Sequence, residues 1–432
     1  MKSAIVALQA HRIWDSRGRP TVEVEVRLAD GTTGRGIAPA GASRGSFEAI
    51  DLRDGGRAFG GFGVERAVVN AATLIAAALL GRDATDQSGV DAALIALDGT
   101  PNKSRLGGNA TIATSLAVLD AAARHTGMPL WRYASQGREV RLPLPEIQIF
   151  GGGAHAGRRI DLQDLMVMPV GAQSFDEALV MVAEVYRTAG ELMTLAGHRA
   201  GVADEGGWWP DFDDNETAIA MLARAVESAG FRNGEVMMSL DIAASEFRID
   251  GRYVPGPARR AYETEEWIAV ILGWVARYPI VSLEDPVAED DDAGMAAITA
   301  AIGERVQVIG DDYLVTNAAR IAAAAARKAC NAVLLKPNQA GTVTETIAAM
   351  AAARNAGWST IASARSGETE DTTIAHLAVG WDTGQLKVGS FARSERMAKW
   401  NECLRIEREL GAGAKFAGAD ALPKARARPP RQ

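Results

Sequence analysis

Six charged residues stand at the ends of six short apolar runs: Asp241, Glu284, Asp311, Lys336, Arg365 and Lys387. They are 43, 27, 25, 29 and 22 residues apart, and all but the first gap approximate one strand–helix unit. A lone charge at such a place would mark only where a strand meets water. Six in series, each after a buried-type run, point to one shared mouth. The three carboxylates are hard oxygen donors with no His or Cys among them, a set that suits magnesium. Arg365 offers a planar fork for phosphate or carboxylate, and Lys336 and Lys387 offer point charges. A lysine beside a divalent cation loses affinity for its proton, so Lys336 is a candidate base. Removing a proton next to a carboxylate needs strong stabilisation of the charge that builds up, which a Lewis acid supplies.

The elements that must carry these residues follow from the pattern. Strands are expected at 236–241, 280–284, 306–311, 332–336, 360–365 and 385–387, with helices at 264–276, 317–329 and 343–355 between them. This alternation predicts a parallel sheet, and a segment of about 270 residues is the usual size of an eight-stranded barrel. Ahead of it, TVEVEVRL (21–28) alternates apolar and polar residues as a half-buried antiparallel strand. Asp30-Gly31 marks a hairpin turn, and 5–8 adds a third strand. Helical patterns follow at 64–80, 90–97 and 110–124. The fold class read from this is α/β: an N-terminal α+β domain over 1–135, then a (β/α)8 TIM-like barrel over 136–410. The Gly-, Ala-, Pro- and Arg-rich tail, 411–432, reads as solvated and disordered.

Composition narrows the function class. The chain has 432 residues and a net charge of −8, so nothing favours a phosphate-backbone footprint or a nucleic-acid partner. The 47% hydrophobic and 23% charged fractions are those of a globular protein, not a disordered one. No run is long and apolar enough to span a membrane, and the first residues lack a signal-peptide cleavage pattern. Two cysteines, Cys330 and Cys403, give no disulfide framework and suggest a cytoplasmic protein. Gly61-Phe62-Gly63 follows no strand and is not a dinucleotide fingerprint. Trp208-Trp209 reads as packing, and His11, His125, His198 and His376 as structural or surface residues.

Longer motifs carry a resemblance over about residues 4–410. DSRGRPTVEVEV (15–26), ADEGGWWP (203–210), LDIAASEF (240–247), SLEDP (282–286), GDDYLVTN (310–317), LLKPNQAGT (334–342), RSGETED (365–371) and ARSERMAKWN (392–401) resemble the enolase family. The resemblance implies an N-terminal α+β domain, a barrel that begins with two antiparallel strands, and a homodimer. It implies a Lys base paired with magnesium, as is known for that superfamily. By position, Asp241, Glu284 and Asp311 match its metal ligands. Lys336 matches the base that takes the C2 proton, and Glu205 the acid that assists loss of the C3 hydroxyl. Arg365 and Ser366 match phosphate contacts, Lys387 matches a carboxylate contact, and His155, Gln163 and Asp164 line the pocket. The implied substrate is a small anionic phosphorylated acid.

Several positions depart from the family pattern. The loop PAGASRG (39–45) has Ala40 for a serine that helps hold a second magnesium, and Arg44 for a threonine. Asp164 replaces a glutamate, Ala364 a histidine, Gly151 an asparagine and Pro337 a phenylalanine, and Arg158-Arg159 follow His155. Lost bulk at Ala40, Gly151 and Ala364 and added charge at the three arginines would suit an altered anion. The expectation is therefore a diverged paralogue of the carboxyphosphonoenolpyruvate synthase type, retaining C2 proton abstraction. The alternatives are an ordinary phosphopyruvate hydratase, which interconverts 2-phosphoglycerate and phosphoenolpyruvate, and a non-catalytic binding protein.

Overall fold

The computed structural model describes residues 1–422 apart from 233 and 257–259. Its first element is a three-stranded antiparallel sheet, Ile5–Trp14, Pro20–Leu28 and Thr33–Ile37, in sequential order. Val22, Val24, Val26 and Leu28 of the middle strand are all buried, as their alternation requires. They pack under the helix Gly108–His125, whose inner face is built from small residues such as Ala113, Ala117 and Ala121. The approach is too close for any side chain on the facing strand. A Cβ on Gly34 would lie 2.2 Å from the Ala121 nitrogen, and one on Gly36 would lie 2.3 Å from the Ala113 carbonyl oxygen. The expected helix at 64–80 is interrupted, running as Glu65–Asn70, a π turn Ala71–Ile75, and Ala76–Leu79.

Eight strands then close a barrel: Leu144–Gly151, Asp164–Met168, Met237–Asp241, Ile280–Glu284, Gln307–Gly310, Ala332–Leu335, Ser359–Ser363 and Gly384–Gly389. The last pairs with the first, which abolishes the sheet edge. The six strands read from sequence are present, each within two residues of its expected ends. The first two were not read from the pattern. They are buried along their whole length and so show no alternation. Asp164–Met168 is antiparallel to both neighbours, so its N-terminal end opens on the mouth where the other strands end. Side-chain caps start the outer helices: Ser174 accepts from Glu177 N, Asp214 from Thr217 N, Asn317 from Ala319 N and Thr342 from Glu345 N.

Residues 411–422, the first part of the tail expected to be disordered, lie against the barrel. Leu142 N donates to the Lys415 carbonyl at 2.7 Å, and Ala417 N to the Leu142 carbonyl at 2.9 Å. Leu422 is buried with Leu144, Met168, Met237 and Val281 at the closed end of the barrel. The apolar residues among the alanines and glycines, Phe416 and Leu422, provide what that end needs. Residues 423–432 lie outside the described residues. Both cysteines are free and buried. No helix among the described residues is long and apolar enough to cross a membrane.

Two packing features yield measurable outcomes. Trp267 is almost fully buried, stacks on Tyr253, meets Phe247 and Trp274 edge-on, and donates to the Pro286 carbonyl at 2.9 Å. Trp267→Ala is expected to cost about 3–5 kcal/mol in urea unfolding. Trp267→Phe should cost less, about 1–3 kcal/mol, mainly through the orphaned carbonyl. Between the helices Thr373–Gly380 and Ser394–Leu410, the His376 contact first, and then Arg405, hold Glu402 down to about 2, against burial. Its folded value lies below its unfolded value, near 4.3. Its stabilisation is therefore present above about pH 4.3 and fades as pH falls toward 2. Glu402→Gln should lose less stability than the parent between pH 5 and pH 3, as read by thermal melting.

Candidate active site

Strand register sets the mouth of the barrel. Asp164 pairs with Asp241, and Asp241 with Glu284, so three carboxylates stand side by side on adjacent strands. On the other flank Ser363 pairs with Lys387, and Lys387 with Glu146. The Lys387 ammonium reaches Asp164 at 3.2 Å, Asp241 at 2.9 Å and Glu284 at 2.7 Å. Burial works against its charge, but Asp241 first, then Glu284, Asp164 and Glu146, outweigh that and hold its pKa well above the usual lysine value. Burial, then repulsion from Asp241, pushes Glu284 well above the usual carboxyl value. Gln163 donates to Asp241 at 3.0 Å.

A second charged group adjoins the first. Lys336 contacts Asp311 directly, and Gln339 donates to the other Asp311 oxygen at 2.9 Å. Burial disfavours the Lys336 charge, yet Asp311 overrides it and raises the pKa. Arg365 clasps both oxygens of Glu48, at 3.0 and 3.1 Å, and donates to Asn338 and to the Ser43 carbonyl. Pro337 opens the short helix Pro337–Ala340, where its fixed φ suits the first helical position; that turn presents Asn338 and Gln339. Behind Arg365, the buried Arg396 donates to the Arg365, Ser366 and Val388 carbonyls, and Lys399 to that of Thr369. The ARSERMAKWN motif thus braces the RSGETED loop.

The third group carries Glu205, in the turn between the short strands Arg199–Val202 and Trp208–Pro210. His155 Nε2 lies 3.7 Å from both Asp164 and Glu205. Burial raises the Glu205 pKa, but His155, Arg396, Lys387 and Lys336 together bring it below the usual value. Trp208 stacks on Tyr186 at 4.7 Å, in a packing role.

His155, Gln163, Asp164, Glu205, Lys336, Arg365, Ser366 and Lys387 all line one narrow cavity, roofed by Gly41 and Ser43. Asp241, Glu284 and Asp311 stand against it through Gln163, Lys387 and Lys336. Residues not singled out from sequence complete the arrangement: Glu48, Asn338 and Gln339 on the Arg365 and Asp311 side, Gln148 beside Asp164, and Glu146 beneath Lys387. Asp285 accepts from the Asp311 and Asp312 amides and is pushed up to about 8 by burial, then by Asp311. Asn338, Gln339, Asp285 and Asp312 lie inside the motifs quoted above. Glu146 and Gln148 are signalled only by two polar residues two apart in an otherwise apolar run.

The departures resolve into different kinds. Ala364 faces the cavity. The Ala40 carbonyl accepts from Arg17 at 2.8 Å and from Gly367 N at 2.8 Å, so it is already committed. Gly151 opens no room, because a Cβ there would lie 2.7 Å from Ala203 and 3.0 Å from Gln148. The three arginines do not charge the site: Arg44 pairs with Asp51, Arg158 with Glu246 and Arg159 with Asp211, all with exposed guanidinium-bearing side chains. A surface position next to an acidic partner costs an arginine less than burial does.

The family model described as the enolase N-terminal domain matches residues 5–134, and the one described as the enolase C-terminal TIM barrel domain matches residues 139–425. The chain belongs to the enolase family. Its fold, an N-terminal domain followed by a closed eight-stranded barrel, agrees with both matches.

Enolase-family enzymes depend on magnesium, and the residues present fit that ion. Glu284 Oε1 is buried with no hydrogen-bond partner, and the donors around it are oxygens in a crowded anionic row. Two further triads, His155–Asp164–Glu205 and Asp285–Asp311–Asp312, bring ligand atoms within 4.8 Å of one another. Asp311 belongs to the latter triad while Asp241 and Glu284 share Lys387, so one ammonium now does part of a cation's work. Lys387→Gln is expected to lower stability in chelator by about 3–5 kcal/mol, since it leaves three buried carboxylates unbalanced. Added magnesium should raise its unfolding midpoint in urea more than it raises the parent's.

Proposed function

We propose that this enzyme removes the C2 proton from 2-phosphoglycerate or a related 2-phospho or phosphono acid, giving an enolpyruvate ester. The observation that carries this reading is the placement of Lys336 and Glu205 on one buried cavity with Arg365, Ser366 and Lys387. Arg365 and Ser366 bind the phosphate, and Lys387 the carboxylate. Lys336 takes the C2 proton, and Glu205 gives one to the departing C3 hydroxyl. Asp241, Glu284 and Asp311 would hold magnesium, which when bound would supply Lewis-acid stabilisation of developing negative charge.

The same two residues serve the reverse reaction. Lys336 is held protonated by Asp311, and Glu205 is held ionised by its cationic neighbours. Those states suit addition of water to an enolpyruvate bond, with Lys336 as acid and Glu205 as base. Abstraction requires Lys336 as the free amine and Glu205 as the protonated acid. Both directions use the same pair, as microscopic reversibility demands.

The carboxyphosphonoenolpyruvate synthase type is supported by the small side chain at Ala364 on the cavity wall and the missing hydroxyl at Ala40. The outward-paired arginines take away its other support, and they favour a substrate of ordinary charge, as in a phosphopyruvate hydratase. A homodimer belongs to this reading, and the exposed Val6 and Trp14 of the edge strand offer apolar surface for it.

The test is incubation with 2-phosphoglycerate and magnesium in deuterated water, following deuterium entry at C2 and enol absorbance together. Exchange with product formation is expected from a hydratase. Exchange without product, extended to phosphono analogues, marks the paralogue. No exchange with any such acid would leave only a binding protein. Lys336→Ala should slow exchange at least about 100-fold while magnesium binding, read by calorimetry, persists.

A further inference from the structure

Gln148 hydrogen-bonds to two parts of the site, Asp164 and the turn that carries Glu205. It is fully buried on the first barrel strand. Its Oε1 accepts from Gly207 N at 2.8 Å, and its Nε2 donates to Asp164 Oδ1. The sense of the amide is fixed by its partners, because a backbone N–H needs an oxygen and a carboxylate needs a donor. Gly207 closes the turn that holds Glu205: Ala203 N donates to the Gly207 carbonyl at 2.7 Å, and Gly206 N to the Ala203 carbonyl at 3.0 Å. Two glycines make room for the amide. A Cβ on Gly207 would lie 2.4 Å from Oε1, and one on Gly151 would lie 3.0 Å from both amide atoms. The second of these, with Ala203 Cβ nearer still at 2.7 Å, accounts for Gly151, whose small size serves the packing around Gln148 and Ala203 and not the cavity.

We propose that Gln148 is a positioning residue that ties the Glu205 turn to Asp164, fixing the spacing of Glu205, His155 and Asp164 against the C3 side of the substrate. This rests on the proton-abstraction reading above. Lys336 takes its own contacts from Asp311 and from Thr316, neither shared with Gln148. Gln148 touches the C2 side only through Asp164 and its 3.2 Å contact with Lys387, so it governs departure of the C3 group far more than C2 proton removal. A purely structural residue would depress both steps together.

The experiment compares the parent with Gln148→Asn and Gln148→Glu, using 2-phosphoglycerate and magnesium in deuterated water. Asparagine is one methylene too short to reach both partners. Product formation should fall roughly 100-fold, the scale of a 1 Å misplacement, while C2 exchange changes by less than about threefold. Gln148→Glu keeps the acceptor for Gly207 but sets a second carboxyl against Asp164, so its kcat should fall more steeply than the parent's as pH rises. Equal losses in both steps, or no loss, would overturn the proposal. Hydrogen–deuterium exchange supplies a readout free of substrate. The peptide covering 203–208 should lose protection by roughly tenfold or more in Gln148→Asn while barrel-strand peptides keep theirs; unchanged protection there would also overturn it. If the parent itself neither exchanges nor eliminates, the proton-abstraction reading has failed, and the protection measurement still decides whether Gln148 holds the turn.

Discussion

Repulsion among like charges in a dry space is the constraint around which this barrel is organised. Asp164, Asp241 and Glu284 sit in one row because strand register puts them there, and register cannot slip by one residue without turning every inward side chain outward. Their mutual repulsion is relieved by one ammonium, that of Lys387. A barrel mouth with this much uncompensated acid is unfavourable for folding and favourable for a hard cation. The same electrostatic imbalance thus links stability, metal affinity and chemistry.

The charges are arranged in pairs that can exchange partners. Arg365 is held by Glu48 from the N-terminal domain, Lys336 by Asp311, and Lys387 by the carboxylate row. Each basic group that the proposed reaction assigns to substrate already has an internal anion. A substrate must replace these anions without paying to desolvate bare cations, because the cations are already out of water. Backbone braces from Arg396 and Lys399 keep the loop geometry fixed while partners change.

Much of this was legible in the amino-acid order. A charged residue after a short apolar run identifies a strand end, and that rule located Asp241, Glu284, Asp311, Lys336, Arg365 and Lys387. The first two barrel strands were not legible from pattern, since LPEIQIFG and DLMVM are buried on every side and carry no period; the family resemblance alone implied them. Gln148 and Glu146 were hidden for the same reason: polar residues inside a run that otherwise reads as core. The arginines failed differently. Sequence shows that Arg44, Arg158 and Arg159 are near the site along the chain, but only three dimensions show that Asp51, Glu246 and Asp211 draw them away. Residues 411–422 misled through composition, because two apolar side chains among many small ones suffice to dock them.

The reversed second strand has an effect on how this site can change. The chain leaves the mouth at Gly151 and re-enters it at Asp164, so the connection between them, bearing His155 and Gln163, spans the opening without ever visiting the far end of the barrel. This wall is therefore one short continuous tether fastened at both ends to neighbouring strands. An insertion in that tether would reshape substrate access directly, while the opposite end of the barrel, closed by Leu422, would not register it. Selectivity and structural integrity are thereby housed in separate stretches of polypeptide, free to vary on independent terms.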